Sequence, residues 1–184
     1  RARRVFADGV VMAVPAARAA HVCAKLTPEE RGHLSSVETQ RAIAVHLLLD
    51  ESPRALPFYA LHLPSQLGLD VSRVCVEHHK RDAAPPGAGL LRVDVGARSV
   101  ERLWSRDDDK VGARVLESLE RTPLGRLRPR RVVVHRVDEA VSRFGPGSLR
   151  RLRAFLEREE RTPRLAFAGD HRVGPYTEGS LTSG

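Results

Sequence analysis

Residues 164–184 constrain the fold of this chain more than any other segment. An apolar run from Leu165 to Ala168 is followed by Gly169-Asp170, and a short polar loop with Gly174-Pro175 comes next. Thr177-Glu178-Gly179 then begins a predicted helix of small residues. This order brings a carboxylate, which accepts hydrogen bonds, close to a helix N-terminus with free N–H groups. The segment is therefore typical of a site that holds a nucleotide-like molecule.

The same segment resembles the C-terminal FAD-binding motif of the amine oxidase, phytoene desaturase and protoporphyrinogen oxidase superfamily. In that family an apolar strand ends in AGD or AGE, and an EGA-like stretch follows after a loop, then SG. Ala168-Gly169-Asp170 and Thr177-Glu178-Gly179 match these two parts in the same order. The resemblance implies an α/β protein (mixed α+β) with FAD as its cofactor.

Weaker similarity to the family extends over most of the chain. The segment Val10–Pro15 is similar to the strand by which the family returns from the cofactor domain to the substrate domain. Pro85-Pro86-Gly87 followed by Leu90-Leu91 resembles a hairpin of the protoporphyrinogen oxidase and carotenoid desaturase branches, and His135–Gly147 resembles a further family segment. The resemblance thus implies a mixed-sheet substrate domain with helices, plus the closing strand and helix of a Rossmann-like FAD-binding domain.

This resemblance divides the chain into three parts. Residues 1–15 would return from the FAD-binding domain, residues 16–143 would form the substrate-binding domain, and residues 144–184 would return to the FAD-binding domain. The family's N-terminal GxGxxG turn, which holds the FAD pyrophosphate, is absent from this sequence. We therefore interpret the chain as the C-terminal portion of a longer polypeptide, whose remaining FAD-binding domain would be its partner.

The resemblance also implies which residues contact the cofactor. The Asp170 carboxylate would lie near the ribityl and pyrophosphate groups, and the backbone of residues 176–179 would lie against the N1/C2=O edge of the flavin. Alternatively, Gly169-Asp170 only ends a strand and Glu178 only begins a helix, where acidic residues are common. The cofactor-binding residues implied by the resemblance are Val14, Pro15, Gly169, Asp170, Tyr176, Thr177, Glu178 and Gly179.

A substrate pocket follows from the same comparison. Tyr176 stands where amine oxidases of the family place one wall of an aromatic cage, and the opposite wall falls near Arg143-Phe144. An arginine there would break the cage, and the predicted strand 41–49 contains no lysine, a residue that some amine oxidases use. Both departures favour an apolar or anionic substrate of carotenoid or porphyrinogen kind over a simple amine. No residue is assigned as catalytic.

Two functions remain open from the sequence. The first is hydride removal from a C–C or C–N bond of a small organic substrate by FAD, with O₂ or another electron acceptor completing the cycle. The second is a non-catalytic binding module of the same fold that has lost the flavin. The two cannot be separated by the absent GxGxxG turn, because truncation and loss of function predict the same absence.

Composition excludes several other classes. The net charge of +8 comes almost wholly from arginines interleaved with acids, and aromatic residues make up only 4%, which argues against nucleic-acid binding. No apolar run is long enough to span a membrane, so we expect a cytoplasmic location, with peripheral membrane contact through the arginine-rich helix after Ser148. The adjacent His78-His79 is predicted on a strand, where the rings would point to opposite faces, and no metal site is predicted.

Periodicity and turn residues predict the remaining elements. Thr27 is predicted to cap a helix that begins at Pro28, and Ser148 to cap a helix whose Leu149, Leu152, Phe155 and Leu156 face inward. Strands are predicted at Val5–Val14, Arg41–Leu49, Phe58–Leu63, Val71–Glu77, Leu90–Val95, Arg131–Val137 and Leu165–Ala168. Further helices are predicted at Ala16–Cys23 and from Asp107 to about Glu120.

Overall fold

A computed structural model describes residues 4–52, 56, 58–80, 83–159 and 164–184. The strands are β1 (Val10–Met12), β2 (Glu38–Leu49), β3 (Ala60–His62), β4 (Val71–Val76), β5 (Gly89–Val95), β6 (Arg131–Arg143) and β7 (Leu165–Phe167). The α-helices are α1 (Ala16–Val22), α2 (Pro28–Ser35), α3 (Ala97–Leu103), α4 (Asp108–Glu120), α5 (Ser148–Glu159) and α6 (Tyr176–Ser183). The mixed α/β class predicted from the sequence is confirmed.

The chain divides into two compact units. Unit 1 contains residues 1–40 and 139–184, and unit 2 contains residues 41–138. The boundaries fall within β2 and within β6, at other residues than the domain limits 15/16 and 143/144 drawn from the sequence. The assignment of a cofactor domain and a substrate domain stays a prediction.

A five-stranded sheet in the order β3-β4-β5-β2-β6 supplies the framework of unit 2. Strands β4 and β5 pair antiparallel, with Val74 opposite Val93, which agrees with the predicted hairpin. Side chains along β2 alternate between buried and half-buried positions from Ile43 to Leu49, because successive residues of a strand point to opposite faces. The apolar stripe of α4, formed by Val111, Val115 and Leu119, is buried in the same core.

The buried carboxylate of Asp70 connects four elements of unit 2. Its side chain accepts a hydrogen bond from the Ser99 hydroxyl at 2.6 Å and forms ion pairs with Arg102 and Arg114. Its backbone N–H donates to Ser118 Oγ in α4, and its carbonyl oxygen accepts from the Gly96 N–H at the end of β5. Burial alone would raise the pKa of Asp70, but the hydrogen bond from Ser99 and the two arginines lower this pKa below its ordinary value.

Unit 1 is built on a parallel pair of short strands and several helices. Strand β1 pairs with β7, so that Val11 lies opposite Ala166. Helix α2 begins as predicted: the Thr27 side chain accepts from the Glu30 N–H, and the Glu30 carboxylate accepts from the Thr27 N–H. A small core contains Ala16, Ala19, Ala20, Leu34, Phe155 and Phe167.

Several predicted elements have other bounds in the structure. Strand β1 covers only Val10–Met12 of the predicted Val5–Val14, and β6 runs on to Arg143 instead of ending at Val137. Helix α3 was not predicted. It starts directly after Gly96, and its seven residues are too few to give a clear helical period.

Three predictions about individual residues were wrong. Leu149 is 68% exposed, whereas Leu152 and Phe155 are buried as expected. Ser148 does not cap α5, because it is the first residue of that helix. His78 and His79 belong to a 3₁₀ turn, Glu77–His79, and their rings contact edge to face at 4.8 Å instead of pointing to opposite faces of a strand.

Among the residues that the structure describes, no helix has both the length and the apolar character required to cross a bilayer.

We predict that Asp70→Asn destabilises the chain by about 1–3 kcal/mol, because the variant loses charged hydrogen bonds at a buried site. Since the pKa of Asp70 is lowered, this loss is complete at neutral pH and shrinks as the pH falls below about 4. Urea unfolding of both proteins at several pH values measures it. The matched control is Asp50→Asn, whose side chain is 71% exposed and whose ion-pair partner, Arg130, is 3.9 Å away. Equal stability of the Asp70 variant and the wild type would contradict this account.

Candidate functional site

The end of β7 positions the predicted carboxylate. Gly169 follows this strand with φ 147°, a conformation that side chains rarely tolerate, and a Cβ there would lie 2.8 Å from the His171 ring. The chain then turns so that both oxygens of Asp170 meet Ser142 near the end of β6. The Ser142 N–H donates to Asp170 Oδ2 at 2.8 Å, and its hydroxyl donates to Oδ1 at 2.9 Å. Asp170 therefore joins the ends of β6 and β7.

A loop from Asp170 leads into α6 and is packed tightly against it. The Gly174 N–H donates to the Asp170 carbonyl at 3.0 Å. A Cβ on Gly179 would lie 1.8 Å from the Gly174 carbonyl oxygen, so that only glycine fits there. Gly179 thus allows the backbone of Gly174 to approach closely.

The first turn of α6 has no side-chain cap. Among the described residues no side chain forms a cap bond to this helix, which follows Pro175, while Glu178 places a carboxylate in the first turn. Tyr176 begins the helix with φ 80°. In the described part of the chain it is the one residue other than glycine that has a positive φ. Such a conformation stores strain and is found most often at functional sites. The Tyr176 side chain is 72% exposed.

An open groove of about 460 Å³ lies beside this turn. Its walls include all three residues predicted for the substrate pocket, Tyr176, Arg143 and Phe144. Ser142 and Leu149 also line it, so the groove begins where β6 meets Asp170. The walls combine a cation, aromatic rings and aliphatic side chains, which suits a ligand with both apolar and anionic parts.

The other predicted site residues lie outside the groove walls. Thr177 and Glu178 are exposed on α6. Val14 is 39% exposed, and Pro15 directly precedes α1. The structure therefore brings together Asp170, Tyr176, Arg143 and Phe144, but it does not bring Val14 and Pro15 to this groove.

Two histidines share a small buried cavity on the other side of Arg143. His171 is only 2% exposed and lines this cavity of about 10 Å³ together with His33. Within the part of the chain that the structure describes, both ring nitrogens of His33 and Nε2 of His171 are buried without a hydrogen-bond partner. Burial is the main cause that lowers the pKa of each ring, and the nearby positive groups of Arg151 and Arg172 add to it.

The sequence did not point to three contributors to this region. Ser142 was missed because β6 was predicted to end at Val137, five residues too early for the strand to reach Asp170. Gly174 was noted only as a loop residue, since its contact with Gly179 depends on tertiary structure. Nothing in the local sequence around His33 indicates His171 as its neighbour.

Metal chemistry finds no support in the residues described. No group of three or more histidine, cysteine, aspartate or glutamate side chains among them could hold a metal ion. The groove thus offers charge, hydrogen-bond donors and apolar surface.

Comparison with known proteins places this geometry in a family. The family described as "Flavin containing amine oxidoreductase" matches residues 1–184. The chain belongs to this family. The sequence-based recognition of the superfamily is therefore confirmed, and at the level of the family the cofactor is FAD. A search of curated proteins found no match to this chain.

Several solved structures share the fold at low sequence identity. A proposed protoporphyrinogen oxidase from Exiguobacterium sp. 255-15 is 19% identical with a TM-score of 0.74, and the match covers 96% of this chain and 39% of that one. Cyclohexylamine oxidase from Brevibacterium oxydans IH-35A is 17% identical with a TM-score of 0.70, covering 95% and 40%. A reduced UDP-galactopyranose mutase is 13% identical with a TM-score of 0.68, covering 97% and 40%. The chain thus spans about two fifths of the length of these structures.

We predict that Gly179→Ala destabilises the turn between Asp170 and α6 by about 1–3 kcal/mol, because the added Cβ overlaps the Gly174 carbonyl and forces the backbone apart. Thermal unfolding measures the loss. Gly145→Ala is the matched control, since a Cβ at Gly145 meets nothing within 4 Å. A Gly179 variant as stable as this control would show that the close contact is not required.

The lowered pKa values of His33 and His171 predict that the chain loses stability below neutral pH. The pKa values of His33 and His171 are lowered in the folded chain, so the unfolded chain takes up protons first as the pH falls. The free energy of unfolding is then constant above about pH 7 and decreases as the pH drops through about 6.5. Urea titrations between about pH 8 and about pH 5 measure this slope.

Histidine variants test which rings are responsible. His33→Gln and His171→Gln each reduce the slope, whereas His62→Gln, which changes an exposed ring, leaves the slope as in the wild type. A slope unchanged in both buried-site variants would exclude these histidines as its source.

Proposed function

We propose that this chain supplies the substrate groove and the closing cofactor contacts of an FAD-dependent oxidoreductase. The reaction would be hydride removal from a C–C or C–N bond of a small organic molecule. The observation that supports it most is the junction at Asp170, where a carboxylate, an uncapped helix N-terminus and a groove adjoin. The match over residues 1–184 to a flavin oxidoreductase family supports the same reading.

The residues at this junction fit a flavin nucleotide. No side chain caps the first turn of α6, so its N–H groups can donate to an electron-rich ligand edge. Each oxygen of Asp170 accepts one bond from Ser142 and retains a lone pair for a ligand hydroxyl. We propose that Gly169, Asp170 and residues 176–179 hold FAD, and that Val14 and Pro15 contact it from the start of α1.

Each part of the junction would have a separate task. FAD supplies the capacity to accept a hydride when it is bound. The N-terminus of α6 would stabilise negative charge at the flavin edge by roughly 0.3–1 kcal/mol, and more where water is excluded. The hydrogen bonds from Ser142 hold Asp170 in a fixed position, so that its remaining lone pairs keep one direction. The chain itself would orient the reactants and needs no proton acceptor among the assigned residues.

The groove favours an apolar or anionic substrate, of the carotenoid or porphyrinogen kind, over a simple amine. Arg143 lines it and would repel a protonated amine but attract a carboxylate. Phe144, Leu149 and the Tyr176 ring offer apolar surface to the rest of such a molecule. Arg143, which stands in place of an aromatic wall, would thus change the charge of the substrate that the groove favours.

A non-catalytic binding module is the second candidate. Ser142 binds both oxygens of Asp170, and this contact stabilises the fold whether or not a flavin is present. A protein that had lost the cofactor would keep Asp170 for that reason alone.

Further partners belong to the same proposal. These are the remainder of the FAD-binding domain and an electron acceptor such as O₂. We also propose a cytoplasmic location with peripheral membrane contact through α5. Leu149 is 68% exposed on this helix, and Arg150 and Arg153 are exposed as well. Apolar and cationic side chains together suit the surface of an anionic bilayer. Sedimentation with anionic vesicles tests this contact.

A visible absorption spectrum of the purified full-length gene product tests the cofactor. We expect flavin bands, and release of the flavin by heat if it is held without a covalent bond. A folded, colourless protein that also takes up no added FAD would leave the binding module as the function.

Paired variants separate a ligand role of Asp170 from its structural role. We predict that Asp170→Asn weakens FAD binding by about tenfold, because a charged acceptor is lost. Ser142→Ala removes one hydrogen bond to the same carboxylate but leaves its charge. We therefore expect it to weaken FAD binding less than Asp170→Asn does, although the two variants lose a similar amount of stability. Equal effects of the two variants on FAD affinity would indicate that Asp170 acts only through the fold.

A further inference from the structure

A second groove, in unit 2, is lined mainly by positive charge. It has a volume of about 500 Å³ and lies along α3 and α4. Its lining includes four cations, Arg102, Arg106, Lys110 and Arg114. Leu103 and Ala113 supply apolar surface beside them. Neither the family motif nor the proposed cofactor contacts use any of these residues.

Two of the four cations are fixed in place by Asp70. Arg114 donates to Asp70 Oδ2 through Nε at 3.0 Å and Nη2 at 2.7 Å, and Arg102 contacts Oδ1 of the same carboxylate. The Asp70 side chain is 4% exposed, whereas those of Arg102 and Arg114 are 60% and 48% exposed. One buried negative charge therefore holds two partly exposed guanidinium groups side by side. Because the two arginine side chains are already held in place, less conformational entropy is lost when an anion binds.

The other two cations extend the charge along the groove. Lys110 and Arg114 lie four residues apart on α4 and thus share one face of that helix. Arg106 is exposed, and within the described part of the chain no acidic side chain pairs with it. The backbone carbonyl of Arg106 accepts from Arg136 at 2.6 Å, which fixes this residue's position next to α3.

The acids at the edges compensate this charge only weakly. Glu117 pairs with Arg114 at 2.6 Å and Asp107 pairs with Lys110 at 2.9 Å, but these acids are 63% and 75% exposed. Exposed ion pairs contribute about 0–1 kcal/mol, so a multiply charged anion can displace them. Phosphate groups match the planar fork of arginine and gain from several cations at once.

We propose that Arg102, Arg106, Lys110 and Arg114 form a binding site for a phosphate group of two or more negative charges. Asp70 is a positioning residue of this site. The group would belong either to a soluble phosphate compound or to a phospholipid headgroup, since both present the same oxyanion. This site does not depend on the flavin proposal. It would give the protein a second anionic ligand or a contact with a membrane surface.

Calorimetric titration of the full-length protein with inorganic pyrophosphate tests the soluble source. We expect binding that weakens with salt, because it depends on charge. Arg106→Ala with Lys110→Ala raises the pyrophosphate Kd about tenfold or more, since two charge-assisted contacts are lost. Glu117→Gln removes a competing carboxylate and lowers the Kd about threefold. Arg126→Ala is the matched control, because it removes a 76% exposed arginine of the same unit outside the groove, and we expect its Kd to equal that of the wild type.

Vesicle sedimentation tests the lipid source with the same variants. Binding to vesicles of phosphatidic acid in phosphatidylcholine that is lost in the Arg106/Lys110 double variant, and kept in the Arg126 variant, assigns the headgroup as ligand. Pyrophosphate binding without such vesicle binding assigns a soluble phosphate compound. The site is overturned if neither probe binds, or if the Arg126 variant weakens binding as much as the double variant. FAD content is measured on every sample, so that a failure here stays distinct from a failure of the flavin proposal.

Discussion

The contact between Ser142 and Asp170 determines how the candidate site is assembled. A serine near the end of β6 donates two hydrogen bonds to a carboxylate that follows β7. Hydrogen bonds to a charged acceptor are about twice as strong as neutral ones, so this pair fixes the two chain segments firmly. The groove wall at Arg143-Phe144 follows Ser142 directly, and the loop to α6 follows Asp170 directly. Both sides of the site are therefore positioned from one point.

Unit 2 repeats the same physical arrangement with another carboxylate. Asp70, like Asp170, accepts from a serine hydroxyl and is fixed by its own backbone contacts. The difference lies in the neighbours, because Asp70 also binds two arginines, whereas Asp170 accepts hydrogen bonds from the backbone and the hydroxyl of Ser142. One carboxylate thus orients cations toward a groove, and the other remains able to accept bonds itself. Local geometry is alike, and the charge presented to a ligand is opposite.

Structural elements that are specified by residues close together in the sequence could be predicted from it. The helix cap at Thr27, the β4–β5 hairpin and the strand–glycine–carboxylate segment at Gly169-Asp170 were all predictable, since neighbouring residues specify them. Contacts between distant segments were not predictable in this way. Ser142 and Asp170 are separated by 28 positions, and Asp70 and Arg114 by 44. The motif indicated which residues matter, whereas tertiary structure decided which partner each residue has.

The order of the two units along the chain has a consequence for synthesis on the ribosome. Unit 2 is one continuous segment, residues 41–138, and unit 1 consists of the segments on either side of it. Strand β1 cannot pair with β7 until residues 165–167 have been made. The segment that contains β1 therefore lacks its β7 partner while the whole of unit 2 emerges and can fold. Unit 1 is therefore completed only after all of unit 2 has been synthesised.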